Sequence, residues 1–312
     1  MAGEYRLVTY RDGNGPQAGV LVAERVYPAT KLIQGGGVDA SSVLGLLQSW
    51  DAAHARLAKE AAEVRPADGK PLAEVSLLAP ILYPPGVFCA GANYWDHAKE
   101  MAEREAAASG RPARPVTKTA NPWFFLKTSA HSIIGPGSAR LPAVSHAVDW
   151  EAELGVVIGR SARNVAPDRA FDYVAGYLVV NELSARDLSR QEDRAGTPMH
   201  WDWLGQKCFE DACPMGPWFT PASFVRDPNK LGIKLWVNDD LKQNSNTSQL
   251  IHGIAEQIVY LSKHVTLRPG DVISTGTPSG VGAPKGTFLK PGDTVRVEIE
   301  GLGTLVNQMV AG

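Results

Sequence analysis

Asp149, Glu151 and Glu153 occupy alternate positions in the stretch VDWEAELGVVIG, directly ahead of Val156, Val157 and Ile158. The apolar run reads as a strand entering a core. Continuing its alternation backwards sets all three carboxylates on one face, because strand side chains point alternately to opposite sides. Like charges that close, at the mouth of an apolar element, repel one another and lose solvation. Either the segment is a solvated strand edge or a cation sits among the carboxylates. A donor set without imidazole or thiolate suits Mg2+ or Mn2+, with Ca2+ as a third candidate, before Zn2+. Two carboxylates are too few for a tight cage. The candidate third ligand is Glu182, which ends the apolar run of YLVVNELSARD (177–187). A metal on Glu151, Glu153 and Glu182 keeps positions open for water and a chelating substrate.

Three further stretches carry chemistry-bearing residues. In GANYWDHAKEM (91–101), His97 and Glu100 lie three apart and share a helix face. A carboxylate beside an imidazole raises its basicity and orients it, which is general-base machinery; an exposed helical histidine with a routine neighbour gives the same pattern. In LGQKCFEDACPMGPW (204–218), Lys207 could pair with Glu210 or Asp211, or face the metal and neutralise an anionic substrate or enolate. The loop ISTGTPSGVG (273–282) offers hydroxyls and backbone N–H groups to a carboxylate. It is neither a phosphate-binding Walker loop nor a G-x-G-x-x-G ahead of a helix, so nucleotide binding is unsupported.

These residues need a frame. Short strand-like runs dominate from Trp123 onward (WFFLK, LGVVIG, YVAGYLVV, GIKLWVN, DVIST, TVRVEIE), closely punctuated by Gly and Pro, and predict a mainly β architecture with some α. One amphipathic helix is expected over 252–265. Residues 1–80 read as a small α+β module: two alternating stretches around Gly13–Gly15, then helical spacing in SSVLGLLQSWDAAHARLAKEAAEV. The Pro-rich APILYPPG (79–86) marks the boundary to a second domain, 81–312. MAEREAAASGRPARP (101–115) has few apolar anchors, so a mobile lid is expected around 94–118.

The 312 residues, 44% hydrophobic and 21% charged, are of ordinary globular composition, with a formal net charge of −2. Without a basic block, nucleic acid is excluded as the expected partner, and no apolar run is long enough for a membrane span. The absence of an apolar leader and the presence of only three cysteines, Cys89, Cys208 and Cys213, point to a cytoplasmic protein with structural thiols.

Taken in order, the motifs resemble those of the fumarylacetoacetate hydrolase family. GANYWDHAKEM is similar to its G-x-N-Y-x-x-H-x-x-E-M motif, VDWEAELGVVIGR to D-x-E-x-E-L-x-V-V-I-G, and NELSARD to N-D-x-S-A-R-D. QKCFEDACPMGPW and STGTPSGVG match G-K-x-F-D-x-x-x-P-x-G-P-W and T-G-T-P-x-G-V-G. The resemblance runs from about Gly86 to the C-terminus, and within the family it points to the acylpyruvase and 2-hydroxyhepta-2,4-diene-1,7-dioate isomerase-like branch. It implies a mixed β-roll or β-sandwich catalytic domain behind a variable N-terminal domain, a homodimer, and acid–base chemistry on small oxo-acid substrates in aromatic or sugar-acid catabolism. It further implies metal on Glu151 and Glu153, water activation by His97 with Glu100, and Lys207, Arg186 and Thr277 around substrate or intermediate, with Tyr94 and Ser189 among the substrate-binding positions. The expected reaction is hydrolysis of a C–C bond in an acylpyruvate-like 2,4-dioxo acid; hydration, isomerisation and decarboxylation use the same site, and a non-catalytic binding protein is the remaining alternative.

Two positions depart from the pattern. Glu182 replaces the usual Asp, one methylene longer, so the metal's position or the strand's path must adjust. Ser189 stands where Gln is frequent, with Gln191 nearby as a substitute. The stretch 189–207 between the two site motifs is expected to wall the pocket; His200 or Trp201 would meet substrate there, or pack at a dimer edge.

Overall fold

A computed structural model describes residues 3–13 and 15–312; the turn expected through Gly13–Gly15 therefore lies partly outside the described residues. Two sheets dominate, as the strand-like runs predicted. The larger, of twelve described strands, has at its centre Cys213–Pro221, Val174–Asn181, Ala152–Ile158 and Val272–Ser274, each antiparallel to the next. Val87–Gly91 then pairs in parallel with Val272–Ser274, and Trp123–Leu126 closes that edge. A second sheet runs Asp240–Asn246, Gly232–Val237, Thr294–Ile299, Gly303–Ala311 and Gly137–Leu141. The central strands are buried along their whole length, which explains why they read as continuous apolar runs without alternation.

The described residues of the N-terminal module build directly onto this frame. Arg6–Asp12 pairs with Cys213–Pro221 through Leu7 and Phe219, so the N-terminal strands extend the large sheet. Leu46, Leu47, Trp50 and Leu57 share one core with Leu178, Val180, Met215 and Phe219. The expected helical stretch forms two helices, Val43–Gln48 and Trp50–Glu60, separated at Ser49. The expected helix over 252–265 is Ile254–His264, packed on the core through Ile254, Ile258 and Leu261.

The reading of Val148–Gly159 as one strand is corrected. Val148–Asp149 is a separate two-residue strand paired with Ser184–Ala185, and the long strand begins at Ala152. Asp149 consequently leaves the carboxylate face. Its oxygens accept N–H bonds from Trp150, Gly282 and Ala283, tying the 276–283 loop to the sheet. No helix among the described residues is long and apolar enough to cross a membrane.

Candidate active site

Register brings the three glutamates together. Ala152 pairs with Asn181 and Glu153 with Val180, so Glu151 and Glu182 sit at the same end of adjacent strands, joined by a 2.8 Å bond from the Glu182 N–H to the Glu151 carbonyl. One carboxylate oxygen of each of Glu151, Glu153 and Glu182 lies within 4.8 Å of the others, and all three side chains are buried.

Their surroundings divide unevenly. Arg186 donates to Asp149 at 2.9 Å and to Glu151 at 2.6 Å. Lys207 Nζ reaches Glu182 Oε2 at 2.5 Å, Ser184 Oγ at 2.6 Å and Glu151 Oε1 at 3.4 Å. Lys127 Nζ lies 2.7 Å from Glu182 Oε1, yet that oxygen receives no aligned donor. The reason is valence: Lys127 already donates to the carbonyls of Leu183, Lys207 and Ala212, and an ammonium has three protons to give. Glu153 faces no cation; it accepts from Ser274 Oγ and the Gly276 N–H.

The titration behaviour follows these partners. Burial would raise Glu151, but Lys207 and Arg186 hold its carboxyl well below the usual range. Burial, then the charges of Glu182 and Glu151, push Glu153 far above it. Glu182 is pushed up to about 7 by burial, against the pull of Lys127 and Lys207. One carboxylate of the cluster is thus left without a counter-charge, and a hard cation among the three would supply it. A buried all-oxygen donor set with one uncompensated charge fits a divalent cation such as Mg2+ or Mn2+.

Above this floor lies the helix Trp95–Ser109, which ends at Gly110 with a left-handed φ of 66°. His97 is its one buried residue. His97 Nδ1 is 3.5 Å from Glu100 Oε2, as the three-residue spacing predicted, and Glu100 also accepts from the Gly280 N–H. Burial would raise the Glu100 carboxyl, but hydrogen bonds from His97 and Gly280 hold it below its ordinary value.

A cavity of about 310 Å³ joins floor and roof, lined among others by His97, Glu151, Glu153, Arg186, Lys207 and Thr277. Thr277 Oγ1 accepts from Gln243 Nε2 at 2.9 Å. Ser189 and Trp201 line the cavity as well, with Trp123, Phe125 and Trp203 forming an aromatic wall. Other expectations are placed differently. Tyr94 is fully buried in the core outside the cavity lining, and its hydroxyl has no partner among the described residues. Arg186 is engaged by Asp149 and Glu151, and stands as a clamp on the floor. Gln191 donates to Asp202, which turns its amide away from the role of the absent glutamine, and His200, which faces the Gln191 carbonyl, lies outside the cavity lining that Trp201 joins. Glu210 and Asp211 pair with Arg140, which resolves the alternatives for Lys207 in favour of the carboxylate floor.

Three contributors escaped sequence reasoning. Lys127 ends WFFLK and resembles an ordinary strand terminus. Gln243 comes from the second sheet and joins the Thr277 hydroxyl to the Ala152 N–H. Gln206, one residue before Lys207, is buried and lines the cavity; its amide beside the singled-out lysine was the available signal.

Fold and site together define an enzyme with an acidic metal-type floor under a histidine–carboxylate pair. Residues 86–310 match the family model described as fumarylacetoacetate (FAA) hydrolase C-terminal. Oxaloacetate tautomerase fahd2, mitochondrial, of Xenopus laevis is 43% identical over 239 residues, covering 76% of this chain and 69% of that protein. The crystal structure of maleylpyruvate hydrolase from Sphingobium sp. SYK-6, in complex with manganese(II) and pyruvate, superposes with a TM-score of 0.74 at 30% identity, covering 98% of this chain and 99% of that one. The 2-hydroxyhepta-2,4-diene-1,7-dioate isomerase of Mycobacterium marinum gives a TM-score of 0.68 at 30% identity, with 98% of each chain covered. The chain belongs to the fumarylacetoacetate hydrolase family and is an enzyme of that family.

Proposed function

We propose that the protein is a divalent-metal-dependent hydrolase that cleaves a C–C bond in an acylpyruvate-like 2,4-dioxo acid. The observation that carries this reading is a single cavity with the carboxylate floor at one end, His97–Glu100 above it, and an aromatic wall with room for an acyl group. Glu151, Glu153 and Glu182 would hold the cation, which polarises the oxo-acid end of a substrate when bound. The maleylpyruvate hydrolase in complex with manganese(II) and pyruvate supports the same assignment.

The protein's own groups then divide the work. Glu100 holds the Nδ1 side of His97 and leaves Nε2 to take a proton from water. The 3.5 Å separation is long for a hydrogen bond, as catalytic contacts often are before substrate binds. The water oxygen adds to the distal carbonyl, the bond between C3 and C4 breaks, and its electron pair goes to C3. The products are a carboxylic acid and the enolate of pyruvate, which takes the proton back from His97. Lys207, fixed by Glu182 and Ser184, offsets negative charge growing at the oxo-acid end.

A second reading, keto–enol tautomerisation, is favoured by the 43% identity to an oxaloacetate tautomerase. It uses the same histidine on a C3 proton and needs no water. Proton NMR in D2O with Mn2+ separates the two, using acetylpyruvate and oxaloacetate as substrates. A pyruvate methyl signal growing from acetylpyruvate, together with acetate, supports hydrolysis. Accelerated C3 exchange or tautomer interconversion without cleavage overturns it in favour of the second reading.

A further inference from the structure

Gln243 is fully buried where the second sheet meets the first, and its hydrogen bonds have a fixed polarity. The Ala152 N–H, which only donates, lies 2.9 Å from Oε1, and the Pro278 carbonyl, which only accepts, lies 2.8 Å from Nε2. Turning the amide over would set donor against donor and acceptor against acceptor, so these two partners decide which end is oxygen. The second Nε2 proton goes to Thr277 Oγ1 at 2.9 Å, with the Ser279 carbonyl more distant at 3.5 Å. An amide nitrogen accepts no hydrogen bond. Thr277 is therefore the acceptor in that pair, and its own hydroxyl proton is left over. That proton meets no acceptor among the described residues, although Thr277 is buried and lines the cavity shared with Glu151, Glu153 and Lys207.

Ala152 sits between Glu151 and Glu153, so Gln243 ties the loop that carries Thr277 to the backbone of the carboxylate floor. Two residues further along the same strand, Asp240–Asn246, Ser245 donates to Asp96 of the helix that carries His97. Alternate residues share a strand face, and this face sets the loop against the floor while it holds the roof. The cations lining the cavity, Arg186 and Lys207, are each engaged by glutamate. An incoming carboxylate oxygen therefore calls for an uncommitted protein donor, and the Thr277 hydroxyl is one. We infer that Gln243 is a positioning residue for substrate. By occupying the acceptor side of the Thr277 hydroxyl, it aims the hydroxyl proton into the cavity, where a carboxylate oxygen at the oxo-acid end receives it. This rests on the proposed oxo-acid reading and adds to it the group that sets the polarity of substrate binding.

A double-mutant cycle tests it without turnover: calorimetry on the full protein with pyruvate, at an Mn2+ concentration that saturates each variant. Thr277→Val is expected to weaken pyruvate binding about tenfold, the scale of one hydrogen bond to a charged group. Thr277→Ser, which keeps the hydroxyl, should stay within about threefold of wild type on the same scale. Gln243→Met keeps the side-chain length and removes the amide. Its expected cost is about fivefold or more with Thr277 present and less than about twofold in the Thr277→Val background, because the two changes remove one interaction. Should Gln243→Met not fold, Gln243→Asn takes its place, with an amide too short to span Ala152 and Thr277. A tie that is merely structural would act without the hydroxyl, so an equal loss in both backgrounds overturns the inference. So does unchanged binding in the Gln243 variant or in Thr277→Val. Each of these results leaves the oxo-acid reading standing, whereas a wild-type protein that binds no pyruvate with Mn2+ overturns both.

Discussion

The floor and the roof of the site are built by opposite strategies. Glu153 stands on a strand buried along its length, Glu151 and Glu182 directly adjoin the ends of that strand and its buried neighbour, and both strands are paired on either side. His97 and Glu100 stand on a fifteen-residue helix that buries a single side chain. That helix is held down by a few polar contacts: Ser245 donates to Asp96 at 2.6 Å, and Gly280 N–H to Glu100 at 3.2 Å. Charge that must stay concentrated is placed where the core fixes it, and the proton-transfer group is placed on an element that costs little to lift. Binding and catalysis are therefore separable by mutation.

The largest effect belongs to the floor. Glu153→Gln removes the one carboxylate without a cationic partner while keeping an oxygen for Ser274 and Gly276. Mn2+ affinity is expected to fall by more than the roughly 10–100-fold that loss of an outer partner costs, and turnover should fall with it. Burial already favours the neutral form of the Glu153 carboxyl when no metal is present, so a neutral amide of the same size should leave the melting temperature without metal unchanged while the rise on adding Mn2+ disappears. An unchanged Mn2+ titration would break the distinction at its stronger end.

His97→Ala acts on the roof alone. Loss of a general base predicts a drop in kcat of about 10²–10⁴-fold, with Mn2+ binding kept within a few-fold of wild type. Stopped turnover together with lost metal affinity would show that roof and floor are one unit. Intermediate in size is Glu182→Asp, which shortens the arm between Lys127 and Lys207. The structure absorbs the extra methylene in the side chain, since strand pairing at Asn181 is regular. Mn2+ affinity is expected to change by about tenfold or less, with the fold intact by circular dichroism.

How much of this was legible follows from where each partner lies in the chain. Glu151 with Glu153 and His97 with Glu100 are close in sequence, so strand and helix periodicity nearly sufficed to find them. Glu182 was found because an apolar run ends on it. The clamp formed by Arg186 was not legible: its partners Asp149 and Glu151 lie over thirty residues away, and the break at Trp150–Glu151 turned Asp149 toward the 276–283 loop. Lys127 was invisible because its role is set by three carbonyls and a carboxylate from distant segments. Gln243 belongs to a second sheet whose approach to the site only tertiary packing decides. Tyr94 was misplaced for the converse reason, since a motif position does not say whether its side chain faces the cavity or the core.

The smallest expected effect sharpens the contrast in anchoring. The Glu100 carboxyl is held below its ordinary value in the folded protein, with His97 and Gly280 as the donors that outweigh burial. Its stabilising contribution is therefore complete above the unfolded-state value and is lost as pH falls through the lower folded value. Acidification below the ordinary carboxylate range, about pH 4.3, should then loosen the helix Trp95–Ser109 before the core. Hydrogen exchange, corrected for its intrinsic pH dependence, is expected to speed up in this helix by roughly two- to fivefold, the scale of a partly exposed pair. The strand Val174–Asn181, buried along its length, should keep its protection over the same range. In Glu100→Gln the acid-linked step should vanish. If it persists there, the roof is released by another group, and the histidine–carboxylate pair does not anchor the helix that carries it.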